Sequence, residues 1–380
     1  MSSEQQQTID SSAEFARDVI APQAEHWEKI GRVPYAAFEQ GAALGLCGLM
    51  VPESLGGRGL GVSGMAAVAE NLAGACMSSA FSFIVHNNLA AHISRSTSAL
   101  QIERHLPEMI KGKKIGAFLL TEPGVGSDAQ AITTFAKRTS KGWEINGEKA
   151  WVSNGAFADL LSVYVQTEIG AGAKGIAAFL VDARASGVIR EDPYNLMRGH
   201  ALGAGGFRFE QCEVSDEMML AAPGDAFRAA MGGINTARIS VAAMCCGILN
   251  ESLRQAVNYA DQRRAFGQAT LEFQGLQFQL AEVATNLEAA RALTAQATTL
   301  SETGNDVTLS AAHAKKFATK VAFTGIADCM QAMGAAGYSA EYSLGRHLAS
   351  AKMAQFLDGT TEIQNLVIGR GLRSAYGGER

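Results

Sequence analysis

The chain has 380 residues, enough for two or three domains with sizeable cores. Apolar residues make up 47% and charged residues 18%, a globular balance that excludes a disordered chain. A net charge of −5 and a pI near 5.9 argue against a protein that tracks nucleic-acid phosphates, which needs a basic face.

The N-terminal MSSEQQQTID lacks a basic segment followed by an apolar stretch, so no signal peptide is expected. No uninterrupted apolar run approaches the roughly 18 residues that span a bilayer, so no membrane span is expected either. A reducing cytoplasmic home follows. Residues 1–117 read as helical. Apolar positions spaced by three and four mark Ser11–Trp27 and Ala36–Leu46, and helical character resumes at Gly64–Gly74 and Ala99–Ile110. Pro52 and the GGRGLG run at Gly56–Gly61 interrupt it.

Residues 118–222 change character. Short apolar or alternating runs occur at Gly116–Leu120, Thr133–Arg138, Trp143–Asn146, Ala150–Ser153, Leu160–Gln166, Ile176–Asp182 and Gly206–Val214, separated by Gly, Asn and Asp. They predict a compact β domain. From 223 to 380 the helical period returns, with long stretches at Phe273–Leu300 and Asn305–Gly334 and no proline after Pro223. The expected fold is mainly α with a central β domain. The six cysteines fit no zinc or CxxC pattern, and no metal site is expected. Cys245 and Cys246, inside ISVAAMCCGIL, read as small buried thiols.

Two segments have the residue types for chemistry. Leu120–Asp128, LTEPGVGSD, follows an apparent strand and combines the hydroxyls of Thr121 and Ser127 with the permissive backbone of Gly124 and Gly126. Such a loop presents donors to an anion or a planar heterocycle, or is a plain surface turn. In Gly147–Gly155, GEKAWVSNG, Trp151 and Ser153 share one face of a strand. They either wall a flat ring or bury a tryptophan in a β core.

Further segments follow in order: Arg263–Gly267 (RRAFG) with Phe273-Gln274, Gln331–Tyr338 (QAMGAAGY) and Asp358–Gln364 (DGTTEIQ). Together with the first two they resemble the signatures of the acyl-CoA dehydrogenase family, over nearly the whole chain. The resemblance implies a helical domain, a β domain and a C-terminal four-helix bundle. It implies FAD-dependent α,β-dehydrogenation of an acyl thioester, linked to CoA or to an acyl carrier protein. An electron-transfer flavoprotein would take the electrons, and the assembly would be a homotetramer. By the resemblance Thr121, Ser127, Trp151 and Ser153 surround the flavin ring. Leu120, Gly126, Gln274 and Gly334 fall in the same cofactor segments, and Thr360 and Glu362 approach from the C-terminal loop. Arg263, Phe266 and Gln331 complete the site of a neighbouring subunit, where a guanidinium can fork onto a pyrophosphate. Ser127, Arg238 and Gly359 contact the substrate. Competing functions on the same fold are a flavin oxidase or monooxygenase, and a non-catalytic subunit of a mixed assembly.

One departure concerns the chemistry itself. The family's base is a Glu that opens EGTSEIQ, and here that position is Asp358. The side chain is shorter by roughly 1.5 Å, and a misplacement near 1 Å costs about a hundredfold in rate. Three readings stay open: Asp358 is the base, with substrate or loop shifted to meet it; Asp358 serves different chemistry, as in the nitroalkane oxidases of this superfamily; or the base lies elsewhere. Asn235–Arg238, where some branches keep the base, has no carboxylate. The nitroalkane oxidases pair their Asp with an Arg seven residues on, where this chain has Asn365. Two further expectations concern histidines: His86 and Asn87 would give an acyl pocket a polar end, and His200 would be a solvent-exposed loop residue.

Overall fold

A computed structural model describes residues 2–96 and 98–377. Six helices come first: α1 (Ser3–Phe15), α2 (Ala21–Ile30), α3 (Tyr35–Ala43), α4 (Gly61–Ala75), α5 (Met77–Ser94) and α6 (Ala99–Ile110). Ser2 caps α1 reciprocally: its hydroxyl accepts from Gln5 N at 3.2 Å, and its own N donates to Gln5 Oε1 at 2.9 Å. The continuous helix expected over Ser11–Trp27 is broken by a π turn at Ala16–Ile20, just before Pro22, which has no N–H to give.

Helix α5 falls within the span read as helical, but its bounds are not marked by any period, for a physical reason. Its residues are buried on nearly every side, so it has no polar stripe to set a period. Phe83 on α5 stacks on Phe38 of α3 with centroids 4.4 Å apart, a fully buried pair in which each ring contributes about 2 kcal/mol of burial.

Eight strands follow: β1 (Gly116–Leu119), β2 (Phe135–Thr139), β3 (Gly142–Val152), β4 (Leu160–Gln166), β5 (Ile176–Asp182), β6 (Val188–Arg190), β7 (Gly205–Val214) and β8 (Met219–Ala221). They form one sheet in the order β6-β7-β3-β2-β4-β5-β8, with β1 parallel to β4. The separate runs at Trp143–Asn146 and Ala150–Ser153 belong to the single long strand β3, which ends at Val152. Strand β4 is buried at every residue because both its faces are covered. Leu161, Val163 and Val165 join the core of the β domain, while Leu160 and Tyr164 pack toward the helices.

The C-terminal part is α7 (Ala226–Gln262), a small hairpin of β9 (Arg264–Ala265) and β10 (Gln268–Ala269), then α8 (Gln274–Glu302), α9 (Thr308–Met333), α10 (Leu344–Ala354) and α11 (Thr361–Tyr376). By length and composition alone α7 is apolar enough to cross a membrane, although it contains no uninterrupted apolar run of that length. Its most apolar stretch is 72% buried inside the fold, which accounts for the apolarity. The small residues of MCCG allow α4 to approach: a Cβ at Gly247 would sit 2.1 Å from Glu70 O. Cys245 and Cys246 are buried here.

Candidate active site

The site is assembled from loop ends. Leu120, at the end of β1, is buried, and the loop after it closes with two bonds, Glu122 N to Val125 O (2.9 Å) and Val125 N to Glu122 O (3.1 Å). The Glu122 carboxylate turns inward. It accepts from Thr133 N and Oγ1 (2.7 Å each), from Thr134 N (2.9 Å) and from Lys149 Nζ (2.8 Å). Lys149 also donates to Leu120 O at 3.0 Å. Burial by itself would raise the Glu122 pKa; the Lys149 ammonium and the threonine donors outweigh it and hold the acid at about 2. This anchoring leaves Thr121, Gly126 and Ser127 on the wall of a cavity of about 1130 Å³.

Trp151 and Ser153 line the same cavity. The pairing of β3 with β7 slips between Lys149 and Val152, and Trp151 takes a left-handed φ of 57°. The indole is 60% exposed, with Tyr194 against one face at 4.3 Å, so it is no member of a β core. Asn154 (φ 62°), fully buried, holds the break: its Nδ2 donates to Ser82 O (3.1 Å) and Gly116 O (3.0 Å), and its Oδ1 accepts from Ser82 Oγ at 2.6 Å. One amide thereby ties β3 to α5 and β1.

Helix α5 offers Phe81, Val85 and Leu89 to the cavity; Thr236 and Arg238 come from α7, and Asp358, Gly359 and Thr360 from the turn between α10 and α11. Thr360 caps α11, accepting from Ile363 N at 3.4 Å. Asp358 has a φ of 49°, and its Oδ2 is sealed from solvent without a hydrogen-bond partner. Burial pushes the carboxyl up to about 6, against the pull of Lys315 and then Arg238. Arg238 is 7% exposed, so it is no helix-surface residue; its Nε donates to Asp358 O (3.0 Å) and its Nη1 to Asn235 Oδ1 (2.9 Å).

Ten of the residues expected from sequence therefore share one cavity: Leu120, Thr121, Gly126, Ser127, Trp151, Ser153, Arg238, Asp358, Gly359 and Thr360. Arg263, Phe266, Gln274, Gln331 and Gly334 do not line it and are exposed on this chain. Phe266 stands 97% exposed at the tip of the β9–β10 hairpin with a φ of 49°. Glu362 also does not line the cavity and is exposed in the first turn of α11.

His86 and Asn87 do not form a polar pocket end. Both are buried behind the cavity wall, where Asn87 donates to Leu46 O (2.7 Å) and accepts from Leu49 N (2.8 Å), and His86 lies between Cys47 O and Gly116 N at 3.3 Å each. His200 is half-buried, not exposed: Leu196 N donates to its Nε2 at 3.2 Å, and buried Glu28 accepts from Gly199 N (2.9 Å) and His200 N (3.1 Å) to fix its loop. Sequence reading missed Glu122, Lys149, Asn154 and Lys315. The available signal was Glu122 and Lys149 sitting inside the two motifs beside the hydroxyl and glycine residues already singled out.

Comparison with known proteins matches three family models: the acyl-CoA dehydrogenase N-terminal domain at residues 2–113, its middle domain at 117–212 and its C-terminal domain at 224–373. The human mitochondrial short-chain specific acyl-CoA dehydrogenase is 34% identical over 98% of this chain and 90% of its own length. Butyryl-CoA dehydrogenase from Megasphaera elsdenii superposes with a TM-score of 0.93 at 32% identity, covering 98% of both chains. A chain from the structure of the electron transferring flavoprotein of Acidaminococcus fermentans also superposes at 0.93, with 33% identity and 98% coverage of both. Matched along its length and in every part of its fold, the chain belongs to the acyl-CoA dehydrogenase family, oxidoreductases that act on the CH–CH bond of acyl-CoA.

Proposed function

We propose that the protein is an FAD-dependent dehydrogenase of short acyl thioesters, with Asp358 as the base that takes the α-proton. The observation that carries this reading is Asp358, a residue with no hydrogen-bond partner for its Oδ2, lining the same cavity as the Thr121–Ser127 loop and Trp151. Three hydroxyls (Thr121, Ser127 and Ser153) and one indole make a donor set that fits a flat polar heterocycle. These residues and Thr360 would hold the flavin ring, and FAD, when bound, supplies the hydride acceptor for the β-hydrogen.

The α-proton of a thioester is weakly acidic, so the base must be held in a water-poor place with its carboxylate accessible. The cavity wall of Phe81, Val85 and Leu89 excludes water on the side of α5. Arg238 holds the Asp358 carbonyl, which aims the side chain. A carboxyl raised to about 6 is ionised at neutral pH and still a stronger base than an ordinary aspartate.

A short acyl group is favoured by the short-chain and butyryl relatives. An electron-transfer flavoprotein as acceptor is in line with the Acidaminococcus likeness. A homotetramer is favoured by the exposed Phe266, Tyr338, Phe278 and Tyr376 of the C-terminal part, which a second copy of the chain would cover. Arg263, Phe266, Gln274, Gln331 and Gly334 would then serve a neighbour's cofactor.

The test is anaerobic addition of butyryl-CoA to the yellow holoprotein. Bleaching of the flavin, absent when Asp358 is replaced by Asn, supports the reading. A flavin that stays oxidised with butyryl-CoA and with other short acyl thioesters removes it. Rapid reoxidation by oxygen with product bound would turn the assignment to an oxidase.

A further inference from the structure

Two buried cations hold consecutive carbonyls of the turn that contains Asp358. Arg238 on α7 donates to Asp358 O at 3.0 Å, and Lys315 on α9 donates through Nζ to Gly359 O at 2.5 Å. Lys315 also reaches Gln355 O, just past α10, at 3.4 Å, and Gln364 Nε2 adds a second bond to Gly359 O at 2.9 Å. Lys315 is 1% exposed, and the partners described for it are these two carbonyls. Asp358 and Gly359 both have left-handed φ values, 49° and 94°. A non-glycine residue in that region is strained, and it persists only where its surroundings over-determine it.

A fully buried ammonium is expensive, and an apolar side chain of similar length would fill the same space at less cost. The position of this one gives the charge a task. We propose that Lys315 is a positioning residue for the reaction: its ammonium locks the Asp358–Gly359 turn so that the Asp358 carboxylate stays in the cavity, and its charge favours the ionised form of that carboxylate. The inference rests on the reading of Asp358 as the base.

The charges that face Lys315 are Asp358, Arg238 and Glu362, with the Cys245 thiol beside it. Among the groups that oppose the burial of the Asp358 carboxyl, Lys315 is the larger influence and Arg238 the smaller. Burial pushes Lys315 itself down to about 8, with Asp358 foremost in resisting, so its charge is present at neutral pH and fades on the alkaline side. One cation therefore serves geometry through a carbonyl and ionisation through space.

The experiment uses the holoprotein with Lys315→Met, which removes donor and charge, and Lys315→Gln, which keeps a donor without charge. Ionisation of Asp358 is followed by the infrared stretch of its protonated carboxyl, each protein being compared with its matching Asp358→Asn form. In both Lys315 variants Asp358 is expected to ionise about one pH unit or more higher than in the native protein. Lys315→Met is expected to lower kcat for flavin bleaching by butyryl-CoA about tenfold to a hundredfold with KM nearly unchanged, and Lys315→Gln to lose less. Asp358 ionising at its native pH in both variants overturns the proposal, whatever happens to melting temperature or rate. If Asp358→Asn alone still permits bleaching, the assignment of the base falls; the infrared titration then still decides whether Lys315 governs that carboxyl.

Discussion

The ammonium of Lys149 and the carboxylate of Glu122 meet at 2.8 Å with side chains 0% and 3% exposed. The pair joins strand β3 to the loop after β1, and so fixes the two cavity walls that hold Thr121 and Trp151 relative to each other. Removing one partner strands a buried charge. Lys149→Met is expected to cost about 3–5 kcal/mol in denaturant unfolding and to release bound flavin. Unchanged stability and full flavin content would show that the loop is held by other means.

Acid behaviour follows from the same carboxylate. Glu122 stands at about 2 in the fold against an ordinary 4.5, so its contribution to stability is present above about 4.5 and lost as the pH falls through about 2. Glu122→Gln should therefore be less stable than the native protein at pH 7, and the difference between their urea midpoints should narrow steadily as the pH approaches 2.

Asp358 has the opposite sign. Its pKa is raised to about 6 from 3.8, so the ionised form is the less stable one in the fold. The contribution of the protonated form is present below about 3.8 and lost as the pH rises through about 6. Asp358→Asn should melt at a higher temperature than the native protein at pH 8, and the two should converge below pH 4.

The rate profile is tied to the same ionisation. Bleaching of the flavin by butyryl-CoA should fall by about tenfold for each pH unit below about 6 as Asp358 takes up its proton. Asp358→Asn should lose about a hundredfold to ten-thousandfold at every pH, and Asp358→Glu should keep measurable activity. A flat profile between pH 5 and 8 would point to a base other than Asp358.

Phe266 tests the assembly. It is 97% exposed on the β9–β10 hairpin, remote from the cavity of its own chain. Phe266→Asp should leave the secondary structure unchanged. It should weaken self-association at least tenfold in sedimentation and lower FAD retention with it. An unaltered oligomer with full FAD content would remove this residue from the shared site.

The wall segments were legible because they are short and continuous. A hydroxyl-rich glycine loop after a strand, and Trp151 with Ser153, are local patterns, and nine of the residues they and the C-terminal turn supplied do share one cavity with Arg238 of α7. The bounds of helix α5 were not legible, because burial on nearly every side erases the period that would mark them. His86 and Asn87 were misassigned as cavity residues. A helix turns about 100° per residue, so neighbours of the cavity-lining Val85 and Asn88 point elsewhere, and both side chains satisfy backbone groups instead.

The sequence by itself determined the family, the order of its three parts and the carboxylate at position 358, since each depends on residue type at a fixed local spacing. Only the tertiary structure decided which charges are buried and whom they meet. Glu122 finds Lys149 across 27 residues, and Lys315 reaches the Gly359 carbonyl across 44. Burial and partnership are properties of segments brought together by the core, and they turn an ordinary lysine and an ordinary aspartate into a held turn and a carboxyl poised near neutrality.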